Sequence, residues 1–326
     1  MSDIYTISSP DSRLRGTVDL RGGVLSSLTW SAQEGAEQAI FYRAPWLDED
    51  AAQQMLPPLF QHLAGEWVGV PFGCVQTSDN LFFSDAPHGL PVNGNWQCQC
   101  HDQHSIQLRY DYEQDYPLQR LLRRIDLQND GVVDFSLTIH ARDNCQFPVG
   151  IHPIFPSGGE AGNVIIDAGE SDGGITYPYT VEPGSSQALP GSTFSHLSEV
   201  PAVAGGYLDL RKLPLSRNTE EIVQLLKPHS PITLRYPKSK LRIELLWDTR
   251  LLPHCLLWIS NGGRKSPPWE GKNFCLGVEP VCSAWDLGPD SMTPNLLQQS
   301  GARTCIALQA GEQFTVKYQL RCSTYC

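Results

Sequence analysis

The stretch VDFSLTIHA, residues 133–141, alternates strictly, with Val133, Phe135, Leu137 and Ile139 on one side and Asp134, Ser136, Thr138 and His140 on the other. A period of two belongs to a β-strand with one buried and one polar face; a helix would scatter the same residues around its axis. QFTVKYQL (313–320) repeats the pattern, setting Phe314, Val316, Tyr318 and Leu320 against Thr315, Lys317 and Gln319. SIQLRYDY (105–112), PITLRYP (231–237) and KLRIELLW (240–247) add three more strand-like runs. Between such runs the 28 glycines and 25 prolines act as punctuation and do not gather into one linker. Many short strands with turn residues between them predict an all-β protein, a sandwich or barrel and not a βαβ enzyme. Helical periodicity is scarce: DEDAAQQMLPPLFQHL (48–63) has room for a turn or two, interrupted by Pro57 and Pro58.

No fixed-period repeat occurs, which disfavours a propeller or solenoid. Residues 157–206 are rich in Gly, Ser and Pro, but the strand-like NVIIDA (163–168) lies inside them. They are therefore read as long loops within one domain covering residues 1–326. With 40% hydrophobic and 18% charged residues, the 326-residue chain has apolar material for a substantial core. A formal net charge of -11 argues against nucleic acid or an anionic membrane as partner, since either calls for a clustered basic surface. No run of 18 apolar residues is present and the first residues lack a basic start followed by an apolar stretch, so a cytoplasmic location is expected.

Ten cysteines are scattered without repeated spacing, which predicts reduced thiols and no disulfide framework. The one dense spot, CQCHDQH (98–104), offers Cys98, Cys100, His101 and His104 as ligands. On a strand His101 leaves the face that the two cysteines share, so a plain strand end is preferred to a metal site. Phosphate-binding Gly-rich loops, the Gly-x-Ser-x-Gly elbow and His-Glu-x-x-His are all absent.

Three stretches remain, each placing a titratable residue beside Gly or Pro: DAPHGLPVNGNW (85–96) with His88, FPVGIHPIFPSGG (147–159) with His152, and NFCLGVEPVCSAWD (273–286) with Glu279. In the last, Phe274, Leu276 and Val278 alternate before Glu279 arrives, and Pro280 is expected to end the strand. Each residue alone reads as a hydrogen-bonded or solvated strand end.

In their order, HG at 88–89, GIHPIF at 150–155 and GVEP at 277–280 resemble the motifs of the aldose 1-epimerase (galactose mutarotase-like) family. LLPHCLLWIS (251–260), with Pro253 and Trp258, and the closing Asp286 fit the same order. The resemblance runs over roughly residues 85–290 and implies a large antiparallel β-sandwich, or supersandwich, of the galactose mutarotase type. It implies Glu279 as general base on the C1 hydroxyl of a pyranose and His152 as general acid on the ring oxygen. His88, Trp258 and Asn93 would contact the sugar. Asp248, in LLWDTR, is either the family's late-strand sugar ligand or a solvated strand end. No metal or organic cofactor is implied, and the expected partner is a small sugar bound by a monomer or homodimer. The chain departs from the family in reading Val92 where an Arg is usual, and GEWVGVPFGCV (65–75) where Gly-Arg-x-x-Asn-Arg is common. Both departures disfavour a phosphosugar, because phosphate recognition uses Arg clamps. Two other functions are open to the same fold: a carbohydrate-binding protein without turnover, and a polysaccharide lyase or hydrolase.

Overall fold

The structure, a computed structural model, describes residues 3–32, 37–48, 56–74, 86–229, 231–299 and 301–325. Within them two antiparallel sheets face each other. One, of 11 strands, has Glu66–Gly69, Val149–Pro156, Phe274–Cys282, His254–Asn261 and Thr219–Leu226 side by side at its centre. The other, of nine strands, runs Lys212–Leu213, Val164–Asp167, Ile232–Tyr236, Leu241–Trp247, Gln313–Thr324, Val132–Ala141, Leu118–Leu127, Ser105–Asp111 and Gln97–His101. All five alternating runs fall in this nine-stranded sheet, and the fold is the all-β supersandwich that the resemblance implied. No helix of the described residues is long and apolar enough to cross a membrane.

Alternation and burial explain why some strands were legible and others less so. In Val132–Ala141 the odd-numbered residues are buried and the even-numbered ones half-exposed, as a sheet with one solvated face requires. The central strands of the larger sheet are buried on both faces. Their inner face meets the nine-stranded sheet through Val68, Ile151, Phe155, Val278, Leu257 and Val223. Their outer face packs a second apolar cluster that includes Trp67, Ile154, Leu256, Trp258, Val281 and Trp269. Residues 157–206 contribute to both sheets, through Val164–Asp167 to the smaller and Gly174–Thr176 to the larger. In the 48–63 stretch short 3-10 turns occupy Pro45–Asp48 and Pro58–Gln61, while residues 49–55 lie outside the described residues.

Pro280 corrects one expectation. It does not end its strand, which continues from Phe274 to Cys282. Phe274–Cys282 and Val149–Pro156 pair at Val149↔Cys282 and Gly150↔Val281, then again from Ile154↔Gly277 onward. Between these points the ladder lapses, and there Pro153 and Pro280 sit, neither with an N–H to donate. The lapse lies at the centre of the sheet. In CQCHDQH, Cys98 to His101 belong to the strand Gln97–His101, which bulges between Cys98 and Cys100, and residues 102–104 lead into the next strand. His101 Nε2 lies 3.2 Å from Thr6 O, and His104 Nδ1 lies 2.7 Å from Ser8 O.

A buried ion pair joins the two sheets next to this centre. Arg123, from the nine-stranded sheet, meets the carboxylate of Glu66 in the larger one. Tyr318 Oη donates to Glu66 Oε1 at 2.7 Å and Arg123 Nη1 to Gly23 O at 2.8 Å. Removing one member strands a buried charge. Arg123→Met should therefore lower the unfolding free energy by about 3–5 kcal/mol. Chemical denaturation of the Glu66→Leu/Arg123→Met double variant should show a loss well below the sum of the single losses. Additive losses would mean that the two residues do not act as a pair.

Candidate active site

Strand register decides which side chains meet. His152 pairs with Trp67 on one side, and across the lapsed ladder its partner is Glu279, which in turn pairs with Leu256. One row across the sheet therefore reads Trp67, His152, Glu279, Leu256, Gln224. The next reads Ile154, Gly277, Trp258, Ile222. Both rows point to the outer face, where they floor a pocket whose walls include Leu59, Phe60, Pro87, His88 and Trp269.

In this floor His152 Nε2 lies 3.2 Å from Glu279 Oε1, and both side chains are almost fully buried. The Trp67 indole stacks on the His152 ring, centroids 3.9 Å apart and planes 22° apart. A Cβ on Gly277, two residues back on the same face, would overlap Glu279 Oε1. Only glycine there lets the carboxylate lie along its strand toward His152. Burial lowers the His152 pKa well below the imidazole range, helped by nearby His88. It raises the Glu279 pKa well above the carboxylate range, helped by Asp286. Both shifts favour neutral side chains, so together the two groups hold one proton.

His88 arrives from a tight turn, with φ of 59° at His88 and 87° at Gly89. A Cβ at residue 89 would lie 2.7 Å from Val70 O, so glycine is required for this approach. The His88 ring packs edge-on against Trp67 and Phe72, and burial lowers its pKa to about 3. Buried side-chain atoms without a hydrogen-bond partner gather around the pocket: His88 Nδ1, His152 Nδ1, Glu279 Oε1, Asp286 Oδ1 and Trp67 Nε1. Buried polar atoms are normally paired, so such a cluster marks a place for waters or ligand hydroxyls.

Of the residues singled out from sequence, His88, His152, Trp258 and Glu279 line this pocket. Asn93 and Asp248 do not. The Asn93 amide is spent on the turn, donating to Pro87 O at 2.7 Å and Gly89 O at 2.8 Å and accepting from Leu59 N at 3.1 Å. It fixes the turn that carries His88. Asp248 lies in the nine-stranded sheet's half of the fold, just past the end of Leu241–Trp247, where Arg250 takes both carboxylate oxygens at 3.0 and 2.7 Å. That pairing lowers the Asp248 pKa. The late-strand carboxylate near the pocket is Glu220, fully buried, which accepts from Trp258 Nε1 at 2.7 Å and Ser260 Oγ at 2.9 Å.

Sequence reasoning also missed Trp67, Trp269, Arg264 and the pocket position of Asp286. Trp67 sits in GEWVGVPFGCV, a stretch read only for its missing arginines. An arginine does reach the pocket, but from GGRKSPPW (262–269), where no motif announced it.

No protein-family model matches this chain, and no curated protein does. Solved structures do. A putative aldose 1-epimerase from Escherichia coli K12 is 20% identical with a TM-score of 0.66, covering 99% of each chain. An aldose epimerase homologue from C. elegans is 13% identical with a TM-score of 0.67, covering 100% of each chain. A galactose mutarotase related enzyme from Lactobacillus acidophilus is 15% identical with a TM-score of 0.64, covering 98% of this chain and 97% of its own. At such identities the likeness is one of fold, and over nearly its whole length this chain folds as the aldose 1-epimerase and galactose mutarotase-like structures do.

Proposed function

We propose that this chain is an aldose 1-epimerase-like isomerase, a single-domain protein that interconverts the α and β anomers of a free sugar with Glu279 and His152 as its acid–base pair. One placement supports the reading above all: a carboxylate and an imidazole face each other across a lapse in the sheet, 3.2 Å apart, in the floor of an aromatic pocket.

Glu279 takes the proton of the C1 hydroxyl. The bond from C1 to the ring oxygen breaks, and its electron pair goes to that oxygen, which takes a proton from His152. The product is an open-chain aldehyde. Rotation about C1–C2 and attack by the same hydroxyl on the other carbonyl face then give the second anomer, with the two groups exchanging roles. The reactive form is the minor tautomer of the resting neutral pair, with the one proton on His152 (carboxylate and imidazolium); after ring opening both groups are neutral again. Burial destabilises the charged forms of both, so it makes Glu279 the stronger base and His152 the stronger acid. One proton remains in the pair throughout. Trp258 offers a flat apolar surface for the C–H face of a sugar, and the unpartnered atoms around the pocket suit its hydroxyls. The chemistry calls for no metal or organic cofactor.

Polarimetry of fresh α-glucose and α-galactose, with and without protein, tests the assignment. Glu279→Gln and His152→Asn should each lower kcat by about 10²-fold or more. A wild type that binds a sugar yet accelerates no member of a sugar panel would make this a carbohydrate-binding protein.

The pH profile supplies a second expectation. With ordinary values, a carboxylate at 4.5 and an imidazole at 6.5 would hold a single proton only between those limits. Here the imidazole is lowered and the carboxylate raised, so the one-proton state widens in both directions. The acid limb appears as the pair gains a second proton, the alkaline limb as it loses its last. The rate should be flat over a range that extends below 4.5 and above 6.5. A narrow bell peaking between the two ordinary values would contradict a buried pair.

A further inference from the structure

Arg264 enters the pocket from the segment joining His254–Asn261 to Phe274–Cys282. Gly262 N donates to Asn273 O at 2.8 Å and Gly271 N to Arg264 O at 2.7 Å, so the segment is closed at its base and again at Arg264. The guanidinium lies over the Trp269 ring at 4.7 Å and near the Trp258 ring at 6.0 Å. Its Nε is 3.4 Å from Glu220 Oε1 and 4.0 Å from Glu182 Oε2. Glu220 is itself fixed by Trp258 and Ser260, and Ser260 Oγ accepts from Asn273 Nδ2 at 2.7 Å. One edge of the guanidinium is thus tethered to a buried network. Neither Nη atom donates a hydrogen bond to another described residue, and the side chain keeps 25% of its surface exposed.

Charge narrows what those free N–H groups can take. Among the described residues Arg264 is the one cationic side chain of the pocket lining, while Glu279 and Asp286 line it too. Glu220 and Glu182 add carboxylates on the Nε edge. An anionic group would find a cation already offset by its neighbours, and it would approach two further carboxyl groups. Neutral hydroxyl oxygens suffer no such repulsion, and a planar fork of N–H groups fits two adjacent ones.

We propose that Arg264 is the specificity-determining residue of this pocket, donating from its two Nη atoms to adjacent hydroxyls of an uncharged sugar, so that phosphorylated and uronic sugars are poor ligands. The proposal rests on the sugar-isomerase reading for its substrate, but binding and turnover can fail separately.

Titration calorimetry gives affinity and polarimetry gives turnover, for wild type, Arg264→Gln and Arg264→Lys, with a panel of hexoses, their 6-phosphates and hexuronic acids. Arg264→Lys keeps a cation beside buried Glu220 and should keep the wild-type thermal midpoint. It cannot fork, so it should not restore binding. In both variants Kd and KM for the preferred hexose should rise about tenfold to a hundredfold, with kcat within about threefold of wild type. If the wild type binds the hexose without turnover and both variants lose that binding, the isomerase reading falls and the role of Arg264 stands. Wild-type affinity in both variants, or tighter binding of a hexose 6-phosphate than of its parent hexose, would overturn the role.

Discussion

Burial of the central sheet on both faces governs the rest of this structure. A strand with one face in water can leave a carboxylate solvated; a strand covered on both sides cannot. Four glutamates lie fully buried on these central strands, Glu66, Glu220, Glu221 and Glu279. Three are well supplied with donors. Glu66 has Arg123 and Tyr318. Glu220 has Trp258, Ser260 and Arg264. Glu221 has Thr219 Oγ1 and the backbone N–H groups of Gln187 and Ala188, at 2.6 and 3.1 Å. Glu279 has an imidazole at 3.2 Å and an Oε1 with no hydrogen bond. A sheet that satisfies three of its acids and leaves the fourth short points to that fourth as the place where structure yields to chemistry.

The same constraint accounts for the local devices around it. Continuous pairing would clamp the two strands that carry His152 and Glu279; Pro153 and Pro280 interrupt it where the two residues stand opposite. Gly277 leaves the space that the carboxylate occupies, and stacked Trp67 fixes the plane of the imidazole. Gly89 and the amide of Asn93 set the turn that brings His88 over them. Each device costs some regular secondary structure. Behind the sheet, the apolar interface and its buried ion pair hold the two sheets together.

How much was legible follows from the same physics. The nine-stranded sheet has a solvated face, so its alternation is written in residue type, and Val132–Ala141 alone was enough to indicate strands. Phe274–Cys282 alternates only as far as Val278 and is buried on both faces, and Pro280 was read as a terminus because proline seldom survives in a central strand. The order of His88, His152 and Glu279 along the chain was visible; their meeting depends on pairings between strands far apart in sequence. The late-strand acid was sought at Asp248, whose neighbour Arg250 in fact takes it up on the surface. TEEIVQLL (219–226) offered Glu220 and Glu221 instead, but two adjacent acids on a strand look like an exposed edge until burial is known. Arg264 left no signal, since a loop arginine acquires its meaning only from the tryptophans it packs against.

His152 and Glu279, both buried in the pocket floor, are taken here to hold a single proton between them. Nitrogen-15 NMR of the His152 imidazole in the ligand-free protein, followed through the acid range, reads this directly. The ring should be neutral at neutral pH and stay neutral well below the ordinary imidazole value of 6.5. A ring that charges near 6.5, or that is already cationic at neutral pH, would contradict it.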